Sequence, residues 1–255
     1  MIALVTGASS GIGRDMARYL NSIGYDLIIV ARNKEKLEKV KNELNNKNNL
    51  KVEVIAADLS NTDECKRLYR GVKQKYENID LLVNNAGFGL FGEFTETDLS
   101  RELSMIDTNI KAVQILMKLF LKDMVYKDKG IILNVASVAA FMPGPLMATY
   151  YASKNYILRF SQAIREELRK KKSNVKISVL CPGPVNTNFN NVADVKFNLK
   201  GLSSEYVAKY AIDKTIKGKF IIKPGASVKF ARVASKIFPD TLVAKVCYHM
   251  QERKR

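Results

Sequence analysis

The chain has 255 residues, of which 47% are hydrophobic, and this length is sufficient for one large domain. Its three cysteines are scattered and form no C-x-x-C pair, so we expect no disulfide framework and a reducing, cytoplasmic location. The formal net charge is +17. We interpret most of this charge as solvated surface and expect no nucleic-acid partner. The uncharged run 130–153 is broken by Asn134 and two prolines, which disfavours a membrane-spanning helix.

Short apolar runs alternate with longer amphipathic stretches along the chain. Such runs are typical of strands that are covered on both faces of a parallel sheet, and the stretches between them have helical periodicity. The predicted strands are 2–7, 26–31, 51–58, 80–87, 130–137, 175–183 and 219–225, and the predicted helices are 14–23, 34–45, 62–76, 98–126 and 150–171. This alternation predicts an α/β fold with one doubly wound parallel sheet of about seven strands, helices on both faces and a single domain over residues 1–255.

Residues 226–255 form a basic amphipathic extension that we expect to be helical. Apolar residues recur at helical spacing from Phe230 to Phe238, and Pro239 should end this helix before a second apolar stripe begins. From Lys214 to Arg255 there are eleven basic and two acidic residues. We expect the extension to pack on the body of the protein or on a second subunit, so a homodimer is the favoured assembly. Peripheral contact with an anionic membrane is the alternative.

The turn between the first predicted strand and the first helix is rich in glycine. Gly7 permits a tight turn, whereas Gly11 and Gly13 permit close approach of the backbone to other backbone and to a ligand. The free N–H groups and the dipole of the following helix favour a pyrophosphate, as in Rossmann-like folds. The residues predicted to bind a dinucleotide here are Gly7, Ser9, Ser10, Gly11, Ile12 and Gly13.

The residue after the second strand discriminates between dinucleotide cofactors. An acidic residue at this place would bind both ribose hydroxyls and repel a 2′-phosphate, but this chain has Arg32. A guanidinium can form a charge-assisted fork with a phosphate. The sequence therefore favours NADP(H) over NAD(H), unless Arg32 only points into solvent.

Two adjacent tyrosines precede a lysine in the sequence YYASK at positions 150–154. On a helix, Tyr150 and Lys154 share a face because they are four residues apart. Tyr151 is three residues before Lys154 and its direction differs by about a quarter turn. The spacing alone does not exclude Tyr151 as the reactive tyrosine.

The chain resembles the short-chain dehydrogenase/reductase family over nearly its whole length. The motifs that carry this resemblance occur in the family's order as TGASSGIG at 6–13, NNAG at 84–87, Asn109, Ser137, Tyr150 with Lys154 as Y-x-x-x-K, and Pro182 with Gly183. The resemblance selects Tyr150 over Tyr151. It implies that Asn109, Ser137, Tyr150 and Lys154 are the catalytic residues.

The resemblance also implies NADPH-dependent reduction of a ketone or aldehyde to an alcohol, or the reverse reaction. Tyr150 would donate the proton, and Lys154 would bind the nicotinamide ribose. The Lys154 cation, together with the nicotinamide cation of the oxidised cofactor, would lower the pKa of the tyrosine. Ser137 would hydrogen-bond the carbonyl oxygen, and Asn109 would hold a water in a proton relay. No metal is expected, because the cofactor supplies the hydride.

Further cofactor contacts implied by the resemblance follow the carboxyl ends of later strands. Asp58 would contact the adenine amino group, and Thr187 would contact the nicotinamide carboxamide or a phosphate. Outside the glycine-rich turn, the expected set is Arg32, Asp58, Leu59, Asn85, Ala86, Gly87, Tyr150, Lys154, Pro182, Gly183, Val185 and Thr187.

Apolar residues flank the expected catalytic residues and favour a hydrophobic substrate. We expect Phe141, Met142, Leu146 and Met147 to line its pocket and residues 184–201 to form a mobile lid. The C-terminal sequence differs from that of 3-oxoacyl-carrier-protein reductases. It is more similar to bacterial dehydrogenases of the D-alanine-esterification-locus type and to microsomal steroid and fatty-acyl ketoreductases.

Three other functions remain open from the sequence. One is a non-catalytic regulator that senses NADP(H), which would not need to keep the four catalytic residues. Another is a 3-oxoacyl-thioester reductase. The third keeps the cofactor but changes the reaction to that of an epimerase or lyase.

Overall fold

A computed structural model describes residues 1–45, 50–187, 189 and 201–252. In chain order its strands are β1 (Ile2–Thr6), β2 (Asp26–Ala31), β3 (Val52–Ala56), β4 (Leu81–Asn84), β5 (Ile131–Val135), β6 (Lys176–Leu180), β7 (Val185–Asn186), β8 (Leu202–Ser203) and β9 (Ile221–Ile222). Seven of them form a parallel sheet in the order β3-β2-β1-β4-β5-β6-β9, and β7 pairs with β8. The predicted α/β fold with a seven-stranded, doubly wound sheet is confirmed.

The helices surround this sheet. They are α1 (Gly11–Ser22), α2 (Lys34–Asn45), α3 (Thr62–Lys75), α4 (Leu99–Ile106), α5 (Ala112–Tyr126), α6 (Ala148–Lys170), α7 (Ser204–Ile216), α8 (Ala226–Ile237) and α9 (Asp240–Glu252). A π-helical turn at Asp107–Lys111 joins α4 to α5, and a 3₁₀ turn spans Val138–Phe141. Among the described helices, none combines the length and apolar character needed to cross a membrane.

Both faces of the sheet are covered by helices, which explains why the strands are almost continuously apolar. In β1, Ala3 and Val5 pack in a core with α1, α2 and α7. Leu4, between them, points to the opposite face and packs in a core with α3, α5 and the end of α6. This three-layer arrangement leaves the ends of the strands as the place where loops can form a site.

The strand order reverses next to β1. Val5 pairs with Ile29 of β2 on one side and with Val83 of β4 on the other. The segments that follow β1 and β4 therefore turn away in opposite directions and leave a crevice beyond the carboxyl ends of these two strands. In open α/β sheets, ligands bind at such a crevice.

Several local elements differ from the sequence-based predictions. The predicted helix 98–126 is interrupted by the π-helical turn at 107–111, and the predicted strand 219–225 is reduced to β9. The helix predicted to begin at Tyr150 begins at Ala148. Helix α7 was not predicted, although Ser203 caps its first turn by accepting a hydrogen bond from Tyr206 N. The β7–β8 pair was also missed, because two-residue strands leave no periodic signal.

The two tail helices pack on the body through one side of each helix. Val228 of α8 and Cys247 and Gln251 of α9 are buried. The guanidinium of Arg232 lies 5.5 Å from the ring centroid of Phe141, in the 3₁₀ turn next to α8. The inner faces of the tail therefore lie beside the carboxyl edge of the sheet, where β5 ends.

Candidate active site

The glycine-rich turn after β1 is held against the loop after β4. Gly7 has φ +66°, and a Cβ atom there would lie 2.7 Å from Asn85 Nδ2. A Cβ atom at Gly13 would lie 2.4 Å from Gly7 O. Asn85 Nδ2 donates to Thr6 O at 2.9 Å, and Thr6 Oγ1 accepts from Asn85 N and Ala86 N. Glycine is required at both positions because backbone and side-chain amide already fill the space that a side chain would take.

The amino end of α1 is open toward the space that these glycines create. Ser10 precedes the helix and makes no side-chain capping hydrogen bond. A Cβ atom on Gly11, which has φ +54°, would lie 3.2 Å from the Thr187 side chain. The turn therefore presents free backbone N–H groups beside Thr187, an arrangement that suits a pyrophosphate.

A cavity of about 1310 Å³ runs from this turn to the tail helices. All eighteen residues predicted to contact the cofactor line it, from the glycine turn and Arg32 to Thr187. Ser137, Tyr150 and Lys154 also line it. The residues predicted from separate motifs are thus brought to one continuous space, with the glycine-rich turn and Arg32 available for phosphate groups and a largely apolar wall elsewhere.

Tyr150 and Lys154 lie one turn apart on α6 and are both buried. Lys154 Nζ donates to Val135 O at 3.1 Å and lies 5.7 Å from the centroid of the Tyr150 ring. Burial raises the pKa of Tyr150 to about 12, although a hydrogen bond with Ser137 acts in the opposite direction. Burial also lowers the pKa of Lys154 to about 8. In the protein alone, desolvation of the phenolate therefore outweighs the influence of its neighbours on the pKa of Tyr150. The expected fall in this pKa involves the nicotinamide cation as well and stays a prediction.

Asn109 does not line the cavity but connects the segments that do. It lies in the π-helical turn and is 1% exposed. Its Oδ1 accepts from Phe88 N at 3.1 Å, and its Nδ2 donates to Phe88 O at 2.9 Å and to Ser153 Oγ at 3.1 Å. Ser153 Oγ in turn donates to Tyr150 O at 2.7 Å. Both side-chain N–H groups of Asn109 have acceptors within the protein, so this side chain links two segments. The expected role of Asn109 in holding a relay water stays a prediction.

Gly87 lies between the side chains of Asn109 and Lys154, and the absence of a side chain at this position leaves room for both. A Cβ atom at Gly87 would lie 2.7 Å from Asn109 Oδ1 and 3.3 Å from Lys154 Nζ. Ser137 is positioned by the neighbouring 3₁₀ turn, where its Oγ accepts from Ala139 N. The next amide, Val138 N, donates to Pro182 O at 2.7 Å. These contacts bring the loops after β4, β5 and β6 together around α6.

Tyr151 forms a wall of the cavity and is held by the tail. Its ring covers Gly144, where a Cβ atom would lie 2.1 Å from Tyr151 Cγ. Its hydroxyl accepts a hydrogen bond from Gln251 Nε2 of α9. The ring meets that of Tyr150 edge to face, with centroids 6.0 Å apart. The two adjacent tyrosines therefore have different environments, and only Tyr150 pairs with Ser137 and Lys154.

The other end of the cavity carries two basic side chains. Arg32 follows β2, and Lys36 lines the same end from the first turn of α2. Asn33 Oδ1 accepts from Lys36 N at 2.8 Å and so caps this turn. Asp58 also lines this end, but its Oδ1 accepts from Ser60 N and Ser60 Oγ in a local turn. One oxygen of Asp58 is therefore engaged with the protein itself.

The region beside Tyr150 is apolar. Met142 and Met147 line it as expected, whereas Phe141 and Leu146 are not among the lining residues. Phe141 packs against Arg232 instead, and Leu146 is buried in a turn with φ +63°. Phe189 lies 5.4 Å from Tyr150 between ring centroids. Residues 188 and 190–200 of the expected lid lie outside the described residues.

Comparison with known proteins agrees with this geometry. Residues 1–196 match the family model described as short chain dehydrogenase. The chain belongs to the short-chain dehydrogenase family. An uncharacterized oxidoreductase of Staphylococcus aureus strain MW2 is 33% identical over 186 residues, which cover 73% of this chain and 78% of that protein.

Two solved structures show the same fold. A short-chain dehydrogenase from Sphingobium yanoikuyae in complex with NADPH is 25% identical, with a TM-score of 0.84 and 92% of each chain covered. A short-chain dehydrogenase/reductase from Burkholderia phymatum in complex with NAD is 23% identical, with the same TM-score and coverage. Relatives of this fold thus bind either cofactor.

Sequence reasoning missed two residues of this short-chain dehydrogenase. Lys36 could have been found as a basic residue four positions after Arg32, although Lys34 lies between them and the sequence alone does not separate the two lysines. Gln251 gave no signal, because its contact with Tyr151 joins residues a hundred positions apart. Such a contact depends on where α9 packs, which the local sequence does not determine.

Burial of Lys154 predicts a specific dependence of stability on pH. The folded-state pKa is about 8 and the ordinary value is 10.5, so between these values the unfolded chain binds more protons than the folded chain. Raising the pH through this window should therefore stabilise the wild type relative to Lys154→Met. From pH 7 to 9.5 the unfolding free energy should rise by about 2 kcal/mol more in the wild type, measured by urea denaturation.

The exposed Lys171 provides the control. Lys171→Met should keep the wild-type dependence on pH, because that side chain is already in water. Equal pH dependence in the wild type and Lys154→Met would show that Lys154 is not desolvated in the folded protein.

Proposed function

We propose that this protein is an NADP(H)-dependent carbonyl reductase that acts on a hydrophobic ketone or aldehyde, or catalyses the reverse oxidation. The observation that carries the proposal is one cavity with Tyr150, Lys154 and Ser137 in its wall and with the glycine turn and Arg32 at its far end. When bound, the nicotinamide supplies or accepts the hydride. The protein's own residues then supply the proton and hold the substrate.

Tyr150 is the proton donor in this proposal. Because burial raises its pKa to about 12, the phenol stays protonated at neutral pH and is ready to donate. As negative charge develops on the substrate oxygen, the Oη proton of Tyr150 moves to that oxygen. The positive charge of Lys154 then stabilises the tyrosinate that is left. A pKa of about 8 also lets Lys154 exchange its own proton near neutral pH.

Ser137 is the proposed second contact of the substrate oxygen. Ser137 lies near enough to Tyr150 to act on the pKa of the phenol, which it lowers. A fixed donor next to the developing oxyanion stabilises the transition state, because it needs no reorientation during the reaction. Ser137 and Tyr150 would thus hold the oxygen between them, while the apolar wall with Met142 and Met147 would receive the rest of the substrate.

The burial of Lys154 favours an enzyme over a cofactor sensor. Removing a cation from water costs free energy. Burial is the main influence on the pKa of Lys154 and lowers it, so neighbouring groups do not offset this cost. A regulator that only binds NADP(H) would use Lys154 to hold the nicotinamide ribose, but it would not need a buried proton donor, Tyr150, beside this cation. In a catalytic mechanism, the buried Tyr150 donates a proton and the buried Lys154 stabilises the tyrosinate.

Two basic side chains support a preference for NADP(H). Arg32 and Lys36 line the end of the cavity beside β2, and both are exposed enough to approach a 2′-phosphate. Lys36 would supply a second positive charge near the 2′-phosphate, whereas Ser10 in the glycine-rich turn is uncharged. The similarity to the D-alanine-esterification-locus branch stays a prediction, because it rests on the C-terminal sequence alone.

Substitution of Tyr150 by phenylalanine tests the proposed chemistry. Only the phenolic hydroxyl is lost. Turnover of hydrophobic ketones and aldehydes, measured with a panel of compounds, should fall at least a thousandfold, because general acid catalysis contributes roughly 10²–10⁴-fold. Turnover is measured as NADPH oxidation by absorbance. NADPH binding, measured by fluorescence, should be retained in Tyr150→Phe.

Tyr151→Phe is the matched control, since it removes a hydroxyl from the neighbouring ring. It should keep most of the wild-type kcat, with a change mainly in KM because the hydrogen bond to Gln251 is lost. If Tyr151→Phe is inactive and Tyr150→Phe is active, the reactive tyrosine has been assigned wrongly. If the wild type binds NADPH but reduces no compound, the sensor becomes the better hypothesis.

Charge reversal at Arg32 tests the cofactor preference. A charge-assisted phosphate contact contributes about 1.5–3 kcal/mol, so Arg32→Asp should reduce kcat/KM for NADPH relative to NADH at least tenfold. Lys36→Ala should cause a smaller shift in the same direction. Lys39→Ala is the control, because Lys39 lies on the same helix but does not line the cavity. A wild type that already prefers NADH would contradict the assignment.

A further inference from the structure

The outer faces of the two tail helices are apolar and exposed. On α8, Phe230, Val233 and Ile237 are 74%, 54% and 71% exposed. On α9, Leu242, Val246 and Met250 recur every four residues and are about half exposed. The same helices bury Val228, Cys247 and Gln251 on their inner sides. The tail therefore has a packed inner face and an apolar outer face, and we call the six exposed residues the outer stripe.

Basic residues flank the outer stripe. Lys229 and Lys236 each precede an exposed apolar residue of α8 by one position, about 100° around the helix, and Lys245 does the same on α9. All three lysines are exposed. An apolar stripe with lysines along its border is the arrangement that lies in a lipid interface, where the stems extend along apolar surface and the ammonium groups reach phosphates.

The outer stripe borders the mouth of the active-site cavity. Phe230, Leu242, Val246 and Met250 line the cavity as well as being exposed. Val233 and Ile237 are exposed but do not line it. A surface that covers the stripe would therefore also cover the entrance through which a substrate reaches Tyr150.

We propose that the outer stripe docks on an anionic lipid surface, so that the cavity opens into the apolar phase. Charge complementarity favours an anionic lipid surface over a second copy of the chain as the partner. Through a two-fold interface, the basic border of the stripe would face a border of the same composition, and like charges brought together at an interface are unfavourable. An anionic lipid surface attracts the same lysines, and the net charge of the last 42 residues adds to that attraction.

Vesicle sedimentation of the full-length protein tests this inference without any substrate. The protein should co-sediment with vesicles of phosphatidylcholine and phosphatidylglycerol in equal parts, but not with pure phosphatidylcholine, and about 0.5 M salt should weaken the binding. Val233→Ser combined with Ile237→Ser should reduce the bound fraction at least tenfold. Lys229→Glu combined with Lys236→Glu should cause a similar loss.

The control variant carries the same change on another exposed apolar surface. Leu99→Ser with Leu103→Ser, on α4, should leave vesicle binding at the wild-type level, since those residues are exposed but far from the tail in sequence. Circular dichroism and thermal unfolding of each variant will show whether it is folded. NADPH affinity should be unchanged in the Val233 and Ile237 variant, because neither side chain lines the cavity.

Three results would overturn the proposal. The first is absence of binding to the anionic vesicles by the folded wild type. The second is equal binding by the wild type and the folded Val233→Ser, Ile237→Ser variant. The third is a wild-type dimer that this variant converts to a monomer, because the stripe would then be covered by a second copy. The outcome does not depend on the proposed reductase activity, so failure of either proposal leaves the other standing.

Discussion

The geometry of the active site depends on one buried amide, the side chain of Asn109. It binds both backbone groups of Phe88 in the loop after β4 and, through Ser153, the amino-terminal part of α6. Each of its N–H groups has an acceptor inside the protein, as a buried polar group requires. The loop that borders the cavity and the helix that carries Tyr150 and Lys154 are thus fixed relative to each other. The π-helical turn makes this contact available in the middle of a long helical segment.

The parallel sheet explains why residues so distant in the sequence meet. The carboxyl ends of β1, β4, β5 and β6 lie at one edge, so Gly7, Gly87, Ser137 and Gly183 all line one cavity. A second buried amide supports the same edge, since Asn134 accepts from Asn84 and donates to Ser161 of α6. The protonation of Tyr150 and Lys154 depends on their burial, which raises the pKa of the tyrosine and lowers that of the lysine.

Much of the fold was predictable, because strands covered on both faces must be apolar and their alternation with helices leaves few topologies. The lining of the cavity was predictable where a motif residue is needed for a backbone conformation or a close contact that only glycine permits, as at Gly7 and Gly13. The role of the Asn109 side chain was not, because the sequence identifies an asparagine but not the partners that satisfy it. The contact between Gln251 and Tyr151 was also out of reach, since it depends on how α9 docks. The rise in the pKa of Tyr150 in the protein alone was not predicted, because burial, which is its main cause, cannot be measured from sequence.

Hydrogen–deuterium exchange tests the role of Asn109 most directly. Peptides that cover residues 85–91 and 147–156 are compared between the wild type and Asn109→Ala, with Ser161→Ala as a control for a lost buried hydrogen bond elsewhere on α6. We predict that both segments lose protection together in Asn109→Ala and that 85–91 keeps its protection in Ser161→Ala. Unchanged protection of 147–156 in Asn109→Ala would show that this amide does not hold helix α6 to the loop after β4.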